Sequence, residues 1–248
     1  MISRREAIYG AFATLLASST LSAQDDDWQS ALAEAIRNKS PLTLGRVLPP
    51  PNDVAWKEAH AILSSAPLTG TPFEVAQYFV TSVAPKYQRA WPEPDPAHPT
   101  LANPLIVLFF LATHTTPSGD TTAWCSAFVN WCLARVGIRG TMNASSQSFA
   151  DLGWGEEVWN RSNGEPMPTT AKPGDLAIFQ RLSDPQHGHI CFFSKISEQQ
   201  PKSIEVLGGN QILIVRGHKL HLIDITTLRI DGDLKLRCVR TKRGLRHE

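Results

Sequence analysis

Apolar positions recur at two different periods along the chain, and the change from one to the other predicts its layout. Between Thr121 and Gly137, Trp124, Phe128 and Trp131 return at spacings of four and three, and so do Cys125, Val129, Cys132 and Val136. Two such stripes on one helix predict burial on most of its sides. Asp120, Thr121 or Thr122 offers an N-cap oxygen, and Gly137 stands where a left-handed C-cap residue belongs. Farther on, apolar runs at 189–193 and 203–207 have the length of strands and flank Gln199-Gln200-Pro201, which reads as a hairpin turn.

The first hundred residues have another texture, with short helical patterns divided by proline. Asp27 caps a helix reaching Lys39, and Asn52 caps another carrying Val54, Trp56, Ala59 and Ile62. Thr71-Pro72-Phe73-Glu74 opens a third, running to about Ala84, with the cap, proline and capping-box glutamate in order. Four prolines between Trp91 and Pro99 then exclude helix and sheet, leaving a linker or strap. Three short helices make a thin core, so residues 24–100 are expected to dock as an extension on a main domain at 101–248.

Residues 1–23 read as an export signal. Arg4-Arg5 precedes a mildly apolar run from Ala7 to Ala17, and Leu21-Ser22-Ala23 supplies small residues for cleavage before Gln24. The twin-arginine route and an ordinary secretory route both fit, and the run is too short and too polar to span a membrane. The expected location is periplasmic or secreted, with no transmembrane segment in the mature chain. Cleavage removes two bases and one acid, bringing the formal net charge from +1 to zero. That balance argues against nucleic acid as a partner.

Chemistry enters with Cys125, in the first turn of its helix. Unpaired N–H groups and the positive end of the macrodipole there favour a thiolate, although a free cysteine is also a common core filler. A thiol nucleophile needs a base, and His189 opens the first strand run. Pairing about the 199–201 turn sets His189 opposite Asn210, where an amide can fix the imidazole's orientation, and a one-residue slip would turn Asn210 to the other face. The chain has four cysteines. Cys132 follows Cys125 by two helical turns, roughly 10 Å of rise, which is beyond disulfide reach. Cys132 and Cys191 are expected to be core thiols.

Several ordered blocks resemble the NlpC/P60 and CHAP-like cysteine peptidase superfamily, and within it a subgroup of small bacterial and phage-associated cell-wall hydrolases. They are Trp124-Cys125-Ser126-Ala127-Phe128-Val129-Asn130-Trp131-Cys132-Leu133, then Lys172-Pro173-Gly174-Asp175-Leu176-Ala177-Ile178-Phe179, then Gly188-His189-Ile190, then Leu207-Gly208-Gly209-Asn210-Gln211. Asn103-Pro104-Leu105-Ile106 and Thr113 resemble that subgroup's lead-in helix. The likeness covers roughly residues 101 to 216. It implies an α+β, papain-like fold, with a nucleophile helix packed on a small antiparallel sheet. It also implies a Cys125, His189 and Asn210 catalytic set, and hydrolysis of amide bonds in peptidoglycan or its stem peptides. No cofactor is implied. Enzymes resembling this one often carry a polar side chain just before the cysteine, a place taken here by Trp124.

Trp124, Trp154 and Gln211 are candidate substrate contacts. Trp154, between glycines, either walls a cleft or caps the core. His187-x-His189 and His218-x-x-His221 lack the close cysteine pair or His-Glu-x-x-His spacing of a zinc site, so no metal is expected. Gly-x-Ser-x-Gly is absent, which leaves serine chemistry unsupported. The base-rich end from Lys235 to Glu248 reads as a solvated tail. A non-catalytic exported wall-binding protein that retains the fold is the alternative function.

Overall fold

The computed structural model describes residues 48–91, 102–151 and 153–247. The expected export signal, the helix from Asp27 and most of the proline-rich strap lie outside them. Helices α1 (Val54–Ser65), α2 (Pro72–Thr81), α3 (Pro104–Phe109), α4 (Cys125–Arg135) and α5 (Ser148–Asp151) precede or interleave with six strands. These are β1 (Glu156–Asn160), β2 (Leu176–Arg181), β3 (Gly188–Ile196), β4 (Ser203–Val215), β5 (His218–Arg229) and β6 (Leu234–Thr241). All pair antiparallel in the order β1-β6-β2-β3-β4-β5. The fold is α+β and papain-like, with the cysteine helix packed on an antiparallel sheet.

Local rules explain most element starts. Thr71 and Glu74 form the full capping box of α2, although the helix ends at Thr81. Asn103 caps α3 through Leu105 N–H, with Pro104 as its first residue. Asp53, rather than Asn52, caps α1. Gly137 closes α4 at φ +77°.

The extension and the sheet share one core. Phe79 of α2 meets Phe109, Phe128 and Trp131 edge-on, with ring centroids 5.3, 5.6 and 5.5 Å away. Each such pair contributes about 0.5–1.5 kcal/mol beyond its buried area. Arg135, at the end of α4, donates to the carbonyls of Ser64, Ala66 and Pro67, which α1 and its exit leave without intrahelical partners. On the far side, residues 88–90 run along β5. Ala90 N–H donates to His221 O, Ile223 N–H donates to Gln88 O, and Arg89 bridges Leu222. That contact covers part of an edge strand that would otherwise present unpaired backbone.

Where β4 crosses the helix, small residues are required. A Cβ on Gly209 would lie within 2.8 Å of Phe128 Cβ and closer still to the Trp124 ring, and one on Gly208 would lie 2.8 Å from Cys191 Cβ. The two glycines let one strand touch both the nucleophile helix and the histidine strand.

The basic end is not a loose tail. Arg246 makes a bidentate pair with the fully buried Asp175, at 2.7 Å from each oxygen, while Arg237 pairs with Asp151 and Arg240 with Glu157. They link the last strand or its exit to the loop before β2, to the end of α5 and to β1.

Candidate active site

Cys125 is the first residue of α4, and the cap before it is Trp124, which contributes no side-chain hydrogen bond. None of the expected cap oxygens serves there. Asp120 instead accepts from Trp91 N–H and Asn103 N–H, both at 2.8 Å on Oδ2, so its carboxylate ties these two segments together rather than capping the helix. The first-turn amides are thereby left to the sulfur. Backbone N–H groups of Ser126 and Cys125, together with Ile190 N–H from β3, lower the Cys125 pKa. Burial outweighs them and pushes the thiol above its ordinary value. Cys125 is 3% exposed. Burial thus works against the thiolate expected from the helix dipole, since a dipole effect of about 1 kcal/mol is small beside the cost of an isolated buried charge.

Ile190 is the neighbour of His189 in β3, so the contact with its amide sets the sulfur against the histidine strand. His189 stands across from Phe179 and is 7% exposed. Burial lowers its pKa to about 4, opposed by the Gln211 side chain, which favours the protonated ring. Although Gln211 lies beside the imidazole, neither His189 Nε2 nor Gln211 Nε2 completes a hydrogen bond among the described residues. Two buried polar atoms without partners are costly, and they are the groups a substrate or a moving proton can use. Both shifts favour the uncharged forms, a thiol at Cys125 and a neutral imidazole at His189.

Asn210 is placed elsewhere. Next to the turn the β3–β4 register is one residue off the expected pairing, with Ile196 opposite Ile204 and Lys195 opposite Glu205; a bulge between Phe193 and Lys195 restores it, with Phe193 opposite Val206 and Phe192 opposite Leu207. Beyond it, β4 carries an extra residue: Gly208 faces Asp224 and Gln211 faces Leu222, so two residues, Gly209 and Asn210, oppose Ile223 alone. Asn210 takes φ +61°, and its Oδ1 lies 2.8 Å from His221 Nδ1. A bulge of this kind shifts the alternation of faces by one. It turns Gln211, a candidate substrate contact, to the side of His189, and Asn210 to β5.

The two tryptophans are core residues. Trp124 is fully buried and stacks on Phe109 at 6.3 Å. Trp154 packs edge-on against Phe149, donates to Arg139 O and lies under Lys242, which is the capping role rather than a cleft wall. All four cysteines are free and buried, including Cys132 and Cys191. Among the described residues no cluster of His, Cys, Asp or Glu could hold a metal ion, and His187 pairs with Asp184 at 2.6 Å. Nor is any helix there long and apolar enough to cross a membrane.

Residues 117–210 match the family model described as CHAP domain. That segment is similar to a CHAP domain. No curated protein and no solved structure matches the chain. CHAP domains are generally hydrolases of the cysteine or amidase type, so the likeness implies an amidase-like function of the peptidoglycan-hydrolase class. The matched segment contains Cys125 and His189 and stops at Asn210. Gln211, the β4–β5 hairpin tip and helices α1 to α3 lie outside it.

Sequence reasoning missed the roles of Asp120, Arg135 and Gln211. Only for Gln211 is there a local signal, since Gly208-Gly209 marks a site where a bulge is cheap.

Proposed function

We propose that the protein is an exported thiol amidohydrolase that cleaves amide bonds of peptidoglycan. Cys125 is the nucleophile, His189 the general base and acid, and Gln211 the residue that orients the imidazole. The supporting observation is the Cys125 sulfur resting on Ile190 N–H, one residue from a histidine whose Nε2 has no partner.

Chemistry starts from the neutral pair. His189 takes the Cys125 proton as the sulfur attacks the amide carbonyl, so charge appears only in the transition state and is not stored in the free enzyme. Cys125 N–H, at the start of α4, donates to the developing oxyanion. His189 returns the proton to the leaving amine, and water then releases the acyl group from sulfur by the same proton relay. An imidazole held near pKa 4 donates its proton readily once charged, which suits the second half of each step.

The signal-like pattern of residues 1–23 supports export, to the periplasm or outside the cell. The burial of both Cys125 and His189 favours a second reading, in which the domain binds the wall without cutting it. Purified sacculi separate the two. The hydrolase releases soluble fragments identifiable by mass spectrometry, and Cys125→Ala, folded by circular dichroism, releases none. Binding of sacculi with no fragments from the wild type would establish the second reading, and full release by Cys125→Ala would overturn the nucleophile.

A further inference from the structure

Next to the CHAP site lies a cleft of about 900 Å³, bounded by Ala90 and Trp91 on one side, by Asp120 and Thr121 below, and by the β4–β5 hairpin on the other. Its size is that of a small-ligand site. Two links tie it to the chemistry. Asp120 and Thr121 lie on the loop that leads into Cys125, and His221 in its wall is bonded to Asn210, the neighbour of Gln211.

The hairpin is built to stand out from the sheet. Arg216 and Gly217 both take positive φ, +50° and +83°, so the turn is the tight two-residue kind that keeps Val215 opposite His218 and Ile214 opposite Lys219. A tip whose task was solubility would alternate polar with apolar residues. This one exposes four aliphatic residues in succession, Ile212 to Val215, between 41% and 66% accessible. Arg216 and Lys219 follow them, both exposed and neither paired with an acid among the described residues. The one carboxylate in the wall among the described residues, Asp120, is 1% exposed and engaged by two backbone amides. The cleft therefore presents apolar surface from Trp91, Val215 and Leu220 beside two cations that no described acid neutralises.

We infer that this cleft is a subsite for the acidic arm of a peptide substrate, with a free carboxylate held by Arg216 and Lys219 and small apolar side chains against Trp91 and Leu220. Guanidinium and ammonium donors recognise a carboxylate by charge-assisted hydrogen bonds, while the adjoining apolar wall favours short side chains over a highly hydrated polyanion. The inference rests on the hydrolase reading for the bond that is cut, but the recognition itself does not need turnover.

Two synthetic stem peptides of peptidoglycan, identical except that the side carboxylates are free in one and amidated in the other, test it. Wild-type kcat/KM is expected to favour the free acid roughly tenfold, the size of one charge-assisted hydrogen bond. Arg216→Gln combined with Lys219→Gln is expected to treat the two peptides alike, with the change in KM. An unchanged preference in that double variant, or no preference in the wild type, overturns the subsite. Calorimetry on Cys125→Ala with the same peptides reads binding without hydrolysis. Tighter, salt-sensitive binding of the free acid, lost on adding the two hairpin substitutions, supports the subsite even where the wild type cuts neither peptide, and equal binding of both overturns it. Failure of hydrolysis alone thus removes the enzyme reading and leaves the subsite standing.

Discussion

Asn210 Oδ1 lies 2.8 Å from His221 Nδ1, so the amide that the hairpin turn sets opposite His189 belongs to β5 instead. The extra residue between Gly208 and Gln211 is the cause, and its effect is to exchange two neighbouring amides. Gln211 is buried beside the imidazole, whereas Asn210 occupies a left-handed position that glycine fills without strain.

The exchange predicts an order of effects. Gln211→Ala is expected to lower kcat roughly ten- to a hundredfold, since an orienting group contributes less than a nucleophile or a base. Asn210→Gly, which keeps the backbone conformation, should stay within about threefold of wild type. Fragment release from sacculi, with both proteins checked for folding, decides it. Equal large losses would return the third role to Asn210.

Alkylation tests the resting state of the thiol. Because burial holds the Cys125 thiol above its ordinary pKa, iodoacetamide is expected to label it slowly at pH 7, with a rate still rising as pH passes 9. Fast, selective labelling of Cys125 at neutral pH, flat from pH 6 upward, would show a preformed thiolate and imidazolium pair.

His189 gives the fold a pH dependence whose sign is set by its depressed pKa. Unfolded, the ring titrates near 6.5, and folded it titrates at about 4. The unfolded chain therefore takes up the proton first. The stability that His189 provides is complete above pH 6.5, declines as pH falls, and is gone once pH has passed through about 4. A shift of this size corresponds to roughly 3 kcal/mol. Urea midpoints of wild type and His189→Gln, compared between pH 7 and pH 4, should converge by most of that amount. Parallel pH profiles would show that the ring is hydrated and titrates normally.

What could be read from the sequence follows a physical division. Stripe spacing identified α4 and capping chemistry identified α2 and α3, because each depends on residues close in the chain, whereas the pairing of Phe192 with Leu207 needs a bulge between Phe193 and Lys195 that the turn position does not reveal. Gln211 could not be assigned, since one bulged residue inverts the face of every side chain after it and leaves no unique mark. The thiolate was misjudged for a related reason. A helix start is visible in sequence, but the desolvation that opposes it comes from β3 and β4, far along the chain. Asp120 illustrates a third limit: its oxygens suit a helix cap, yet they are engaged by Trp91 and Asn103, and nothing local distinguishes the two uses.

The docking of the extension can be tested at Arg135. Its guanidinium donates to Ser64 O and Ala66 O within 3.0 Å and to Pro67 O at 3.3 Å, from a residue that is 8% exposed. Arg135→Met keeps the apolar stem against Trp131 but leaves those carbonyls without donors, and is expected to cost about 2–4 kcal/mol. Arg135→Lys restores the charge on a compact head that cannot span the same fork, and should recover about half of that loss. Urea unfolding at constant m-value measures both. The rest of the junction is apolar, through Phe79 against Phe109, Phe128 and Trp131, so the variant should stay folded and the comparison remain interpretable. A loss below about 0.5 kcal/mol for Arg135→Met would mean that water replaces the arginine at the exit of α1. The aromatic cluster alone would then hold the extension to the nucleophile helix.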